Sequence, residues 1–338
     1  MNTKIIKYLT NALKIIILSV VGYFIYRAVQ SDENFNDDFM RSVEHAMQWE
    51  NLLWLVVLCS LIAVNWSFEA LKWQYLVSKL EQITFFEALK GVLTGLTMSF
   101  VSTTNVGAYF GRVWQLRSEW RYKILGGMVV NSLSQTAITY FFGGIGLIYF
   151  LTWKGIMRSE WYWMHQIVYM IAAAATVLMV FRSGKLVQVF QKTPRIYQYL
   201  EIIKQYTFRD NLIILGFSGL RYLTYFTQFF IVLQLFGIEL PLGHILSGIT
   251  LVYLAKSVIP NFSFLTDLGI REFSAMQLMG SNGYGVPDAM IISATLSLWL
   301  INILFPVIVG SIFTWQMRFL SKKKQPEVYE PENQKSEA

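Results

Sequence analysis

Hydrophobic positions in this chain do not alternate with polar ones; they fuse into long blocks. Uncharged or nearly uncharged stretches lie at about 52–77, 124–150, 165–181, 210–236 and 289–316. Each reaches the roughly 17–25 residues that a helix needs to cross a hydrocarbon layer. A further apolar run, Ile15–Ile25, follows Lys4, Lys7 and Lys14 and continues through Tyr26 and Arg27 into Asp32, Glu33, Asp37 and Asp38. No small-residue cleavage site follows it, so it reads as an uncleaved anchor helix over 10–29 with its basic end in the cytoplasm. The pattern predicts an all-α polytopic membrane protein with six full spans.

Two shorter stretches, Gly91–Gly111 and Ile245–Thr266, are interrupted by small, polar or proline residues. If the first crossed once, Arg112, Arg117, Arg121 and Lys123 would lie outside. So would the segment holding Arg182, Lys185, Lys192, Arg195, Lys204 and Arg209, and the positive-inside rule would fail twice. If each stretch enters and leaves on one side, all these residues and Arg318, Lys322, Lys323 and Lys324 fall inside. The charge pattern therefore predicts two re-entrant hairpins of opposite orientation, at about 88–115 and 244–282, the first opening to the cytoplasm. Half a bilayer is roughly 15 Å, or about ten helical residues per leg, which each stretch and its flank supply. Opposed hairpins suggest an inverted repeat whose broken helices meet near the midplane. The chain then divides into one transmembrane domain over 1–318 and a polar tail over 319–338, with Pro326 and Pro331, that reads as disordered and cytoplasmic.

Composition agrees with the blocks. Residues are 54% hydrophobic and 16% aromatic, and only 14% are charged, against roughly 25% in soluble domains. An ordinary soluble enzyme is excluded. Cys59 is the single cysteine, and His45, His165 and His244 are scattered, so no disulfide framework, metal site or cofactor is expected. The formal charge of +7 sits beside hydrophobic segments, which points to an anionic inner leaflet and not to nucleic acid. The basic segment 182–209, with apolar Leu186, Val187, Phe190, Tyr197, Leu200 and Ile203, reads as lying on that leaflet. Trp73, Trp153, Trp161 and Trp163 read as interfacial belt residues.

Candidate chemistry lies where polar groups enter these blocks. The first hairpin turns through Ser102, Thr103, Thr104, Asn105, Val106 and Gly107 and returns toward Arg112. Its returning helix start is an anion-binding geometry. Equally, Gly107 and Gly111 are a small-xxx-small pair that lets two helices approach while Arg112 reaches the headgroups. In the second hairpin Pro260 breaks the descending leg, and Thr266 or Asp267 can cap the return. Lys256, Asp267, Arg271 and Glu272 are then four ionisable groups near membrane depth, where charges pair or face a cavity. The plain alternative is an i, i+4 pair between Asp267 and Arg271. Arg221 lies deep in the span 210–236, with Gln228 two turns on; it must meet a carboxylate, an amide-rich stripe or a substrate anion. Asn131, Ser134, Gln135 and Thr139 share one face of the span 124–150. Glu69 and Lys72 read as an i, i+3 pair or an inner gate.

These residues resemble the transmembrane region of lysylphosphatidylglycerol synthases and their stand-alone flippase-like relatives. The resemblance covers roughly 50–316. Residues 70–73, Ala-Leu-Lys-Trp, are similar to the family's Ala-Leu-Arg-Trp signature. Gly107, Tyr109, Gly111 and Arg112 resemble its first re-entrant motif, and Ile259 and Pro260 through Leu268, Gly269, Arg271 and Glu272 its second. Leu220, Arg221 and Tyr222 with Gln228, and Ser134 and Gln135 with Thr139, are similar to one branch of stand-alone members. The chain departs from the first motif at Thr103, Asn105 and Ala108, where the family commonly has a proline, a basic residue and a glutamate. The sequence stops about twenty residues after its last span, where the synthases carry a soluble acyltransferase domain, so aminoacyl-lipid synthesis is not expected of it.

The resemblance implies an inner-membrane protein that flips or scrambles an anionic phospholipid or a polyprenyl-phosphate lipid. Asn105, Gly107, Arg112, Gln135, Arg221, Gln228, Pro260, Asp267, Gly269, Arg271 and Glu272 are the expected substrate-binding residues, with both termini cytoplasmic. A membrane enzyme on a lipid-linked substrate, with Asp267 or Glu272 as base, and a non-transporting scaffold are the alternatives. Homo-oligomerisation is compatible with the sequence and not required by it.

Overall fold

The computed structural model describes residues 23, 34–102, 106–117, 119–155, 162–259 and 264–321. The expected anchor helix, apart from Tyr23, Asn105, Pro260 and most of the expected tail lie outside these residues. The described chain is helical, with no strand among its elements. In order the main helices are α1 Phe35–Ala46, α2 Leu52–Val77, α3 Phe85–Val101, α4 Val106–Val113, α5 Leu125–Trp153 and α6 Tyr162–Phe181. After short turns at 183–205 come α7 Phe208–Leu235, α8 Leu242–Val258, α9 Phe264–Met279, α10 Asp288–Trp299, a π-helical segment Leu300–Leu304, and α11 Phe305–Ser321. Trp49–Val77, Leu125–Trp153 and Asp288–Trp315 are long and apolar enough to cross a membrane. The expected breaks are present: α3 ends just before Ser102, and α8 just before Ile259.

Two helix starts are written in side chains. The Thr84 hydroxyl accepts from the Glu87 N–H (3.3 Å), and the Glu87 carboxylate accepts from the Thr84 N–H (2.7 Å). Thr207 and Asp210 repeat this reciprocal cap at the start of α7, satisfying donors that a helix start would otherwise leave open. Asp210 also accepts from Tyr75 (2.6 Å) and pairs with Lys79 (2.9 Å), which ties the start of α7 to the end of α2. The two helices run antiparallel from there.

Polar contacts sort the helix ends. One end holds Tyr75, Lys79 and Asp210, the Tyr206 bond to the Leu76 carbonyl and the Arg117–Glu81 pair. The other holds His45 against the Leu235 carbonyl, Ser42 against Ser293, and Lys154 bonded to the Asn282 carbonyl. The α3–α4 hairpin starts and finishes at the first end, since Gln74 bonds the Ile83 carbonyl and Arg117 meets Glu81. The α8–α9 hairpin starts and finishes at the second, where His244 stacks on Tyr284 with ring centroids 4.2 Å apart. The hairpins therefore open to opposite ends of the bundle.

Glycine sets how closely the first hairpin closes. A methyl at Gly111 would overlap the backbone of Gly95, and one at Gly107 the backbone of Met98. The close-approach role read from this small-residue pair is the one the backbone shows.

Several expectations are corrected. Trp73 is buried at 1% exposure inside the cluster formed by α2, α3 and α11 and is no belt residue. Its ring meets Arg112, a cation that the sequence places far away. Segment 182–209 does not simply lie on a surface: Val187, Ile202, Ile203 and Tyr206 are buried against Leu76, Val130 and Ile214, while Phe190 stays exposed. Asp267 pairs with Lys256 across the break and not with Arg271 one turn on. The helix α11 runs to Ser321, slightly into the expected tail.

Candidate functional site

At the centre of the bundle one carboxylate faces three cations. Glu69, on α2 and 1% exposed, is bound by Arg112 Nη2 from α4 at 2.7 Å and by Arg221 Nη1 from α7 at 2.9 Å. Lys72, one turn along α2 and fully buried, lies 3.3 Å from the same carboxylate. Asn131 Nδ2 donates to it from α5 (3.4 Å). Lys72 in turn donates to Ser218 (3.3 Å) and Gln135 (3.5 Å), and Ser218 meets Ser134 at 2.9 Å. The amide and hydroxyl stripe on α5 is thus the wall that solvates Lys72.

Desolvating an ion costs several kcal/mol, and only good geometry offsets it. Here part of the offset comes from aromatic rings. The Arg112 guanidinium lies 5.7 Å from the Trp73 ring centre; that of Arg221 lies 5.6 Å from Trp66 and 5.2 Å from Tyr225. Each such contact contributes about 0.5–2 kcal/mol. Donors still exceed acceptors. Among the described residues, Arg112 Nε and Nη1 and Arg221 Nε are buried without hydrogen-bond partners, an arrangement that an added acceptor would relieve.

Arg221 also faces a cavity of about 230 Å³ between α5, α7, α8, α9 and the π segment. Its lining includes Gln135, Thr139, Lys256, Asp267, Arg271 and Asn302. Lys256 and Asp267 pair at 2.9 Å; Arg271 lies 3.3 Å from Glu272, whose carboxylate also meets Thr295. Arg271 Nε is another buried donor without a partner among the described residues. Three basic side chains and one carboxylate line the cavity itself, and each basic group is ion-paired, Arg221 with Glu69, Lys256 with Asp267 and Arg271 with Glu272. Tyr222 also lines a second, almost wholly apolar space of about 380 Å³, walled by Phe142, Ile145, Leu223, Phe226 and Leu246. Ile145, Leu223 and Leu246 are exposed at its rim.

Of the residues singled out from the sequence, Gln135, Arg221, Asp267 and Arg271 meet around the cavity. Arg112 and Glu272 stand behind it through their partners Glu69 and Arg271. Gly107 serves helix contact, and Gly269 is buried in α9. Gln228 is fully buried with both amide atoms unpartnered among the described residues, and does not line the cavity. Sequence reasoning flagged Glu69 and Lys72 as an i, i+3 pair or an inner gate, and the pair is present, but it left both out of the substrate-binding set and did not single out Asn302.

No curated protein and no solved structure matches the chain. One family does: its model, described as the lysylphosphatidylglycerol synthase TM region, matches residues 11–310. That range takes in the Glu69 cluster, both hairpins and every residue of the cavity wall, and so the chain belongs to the lysylphosphatidylglycerol synthase transmembrane-region family and is an integral membrane protein.

Proposed function

We propose that this protein moves an anionic lipid, a phospholipid or a polyprenyl phosphate, between the leaflets of the inner membrane. The observation that carries this reading is that two unlike spaces lie side by side, with Tyr222 in the wall of both. One is a cavity lined by Arg221, Lys256 and Arg271, suited to a phosphate; the other is an apolar space suited to a hydrocarbon chain. Charges at membrane depth are costly and usually mark a substrate path. In this reading both termini, the basic loops and the mouth of the first hairpin face the cytoplasm, in keeping with the positive-inside rule, and both hairpins are re-entrant. A membrane enzyme is less well supported, because Asp267 and Glu272, the carboxylates that would serve as a base, are each engaged by a cation.

The test is mass spectrometry of the lipids retained by the gently purified protein and by Arg221→Ala and Arg271→Ala, followed by transfer of the retained lipid in proteoliposomes. Loss of charge-assisted hydrogen bonds predicts at least a roughly 10-fold drop in retention and a matching drop in transfer. Unchanged retention in both folded variants would assign these arginines to helix packing and end the transport reading.

A further inference from the structure

The π segment Leu300–Leu304 interrupts what would otherwise be one helix from Asp288 to Ser321. π turns are rare and concentrate at functional sites, since the wider turn re-aims side chains. Here Leu298, Asn302 and Ile303 all reach the cavity wall. Asn302 is 3% exposed, and both its amide nitrogen and its amide oxygen lack partners among the described residues.

An amide carries two N–H donors and an acceptor oxygen. The cavity's charged groups and its other amide are different. Arg221, Lys256 and Arg271 only donate, the Asp267 carboxylate is taken by Lys256, and the Gln135 side-chain oxygen by Lys72. Asn302 Oδ1 is therefore a buried acceptor set among cationic donors. A phosphodiester that can only accept would satisfy the amide nitrogen and leave this oxygen bare. A ligand with a hydroxyl next to its phosphate would satisfy both. The volume agrees: at roughly 30 Å³ per water, the cavity holds about eight waters, enough for a phosphate and a small polyol.

Resting on the anion reading above, we infer that Asn302 is the specificity-determining contact of the cavity and reads a hydroxyl on the phosphodiester headgroup of a lipid. The cations hold the phosphate; the amide chooses between phosphates.

Two lipids of equal charge and identical acyl chains separate these roles. Phosphatidylglycerol carries headgroup hydroxyls, and phosphatidylmethanol has none. The purified full chain is offered both in equal amounts, and bound lipid is counted by native mass spectrometry. The wild type should prefer phosphatidylglycerol by about 10-fold or more, and Asn302→Leu should bind the two equally. Equal binding by the wild type, a comparison that needs no variant to fold, overturns the inference while leaving the anion site standing. A preference that survives Asn302→Leu also overturns it. Binding of neither lipid brings down the anion reading and the inference together. Displacement of bound phosphatidylglycerol by an equal concentration of glycerol 1-phosphate would reassign the site to a soluble phosphate ester; failure to displace it supports a lipid.

Discussion

At Glu69 a single carboxylate is shared by Lys72, Arg112 and Arg221, and the local sequence displays only the first of these partners. The other two arrive from 43 and 152 residues away, so the sequence offered only an i, i+3 pair or an inner gate. Glu69→Gln keeps the shape and leaves three buried cations facing a neutral amide. It should cost about 3–5 kcal/mol, the penalty for stranding a buried charge. Arg221→Gln should cost less, because Lys72 and Arg112 still hold Glu69. Thermal unfolding in detergent ranks the two; a Glu69→Gln protein as stable as the wild type would mean the cluster is hydrated and weakly coupled. The misread of Trp73 has the same root. A tryptophan near a span end reads as an interfacial anchor, and nothing local reveals that Arg112 will lie against its ring. Arg221 was legible as a deep charge in need of a partner, since its isolation in an apolar run is itself the signal.

Among the elements, the hairpins were legible because glycine, hydroxyl and proline residues interrupt apolar runs too short to cross, and charge bookkeeping predicted that they open in opposite directions. Their internal contacts were not. Asp267 reaches back over the break to Lys256, eleven residues away, and not forward one turn; three-dimensional closure outcompetes helical spacing. The π segment was invisible too, since an apolar stretch with one asparagine reads as plain helix. Glycine supplies a test at this scale. Gly111→Ala forces a methyl into the backbone of Gly95 and should destabilise the α3–α4 pair by about 1–3 kcal/mol. Gly216→Ala in α7 meets nothing within 4 Å and should be neutral or stabilising by up to about 1 kcal/mol, as expected for removing a mid-helix glycine. Melting curves of the two variants check the contrast. Equal losses would put the cost in helix propensity and not in hairpin contact.

For the molecule as a whole, the membrane assignment needed only the apolar blocks and the low charge content; the way the halves interlock needed coordinates. The proposed orientation makes a definite labelling prediction. With Cys59 replaced by alanine, a cysteine at Glu119 should react with an impermeant thiol reagent only from the cytoplasmic side, and one at Asn282 only from outside. Both positions are exposed, so accessibility reports sidedness. Glu119 labelled from outside would invert the first hairpin and with it the route to Arg221.

Arg221 also belongs to two assemblies at once, the cluster around Glu69 and the wall of the cavity. An anion in the cavity competes with Glu69 for the same guanidinium. Whatever grip Arg221 relaxes leaves Glu69 more fully to Arg112, and so to the first hairpin. Thermodynamic reciprocity then fixes the relation between the two. If occupancy tightens the seating of α4 by some factor, a change that tightens α4 must raise affinity for the anion by that same factor. One shared side chain is enough to make the two opposed hairpins answer to each other.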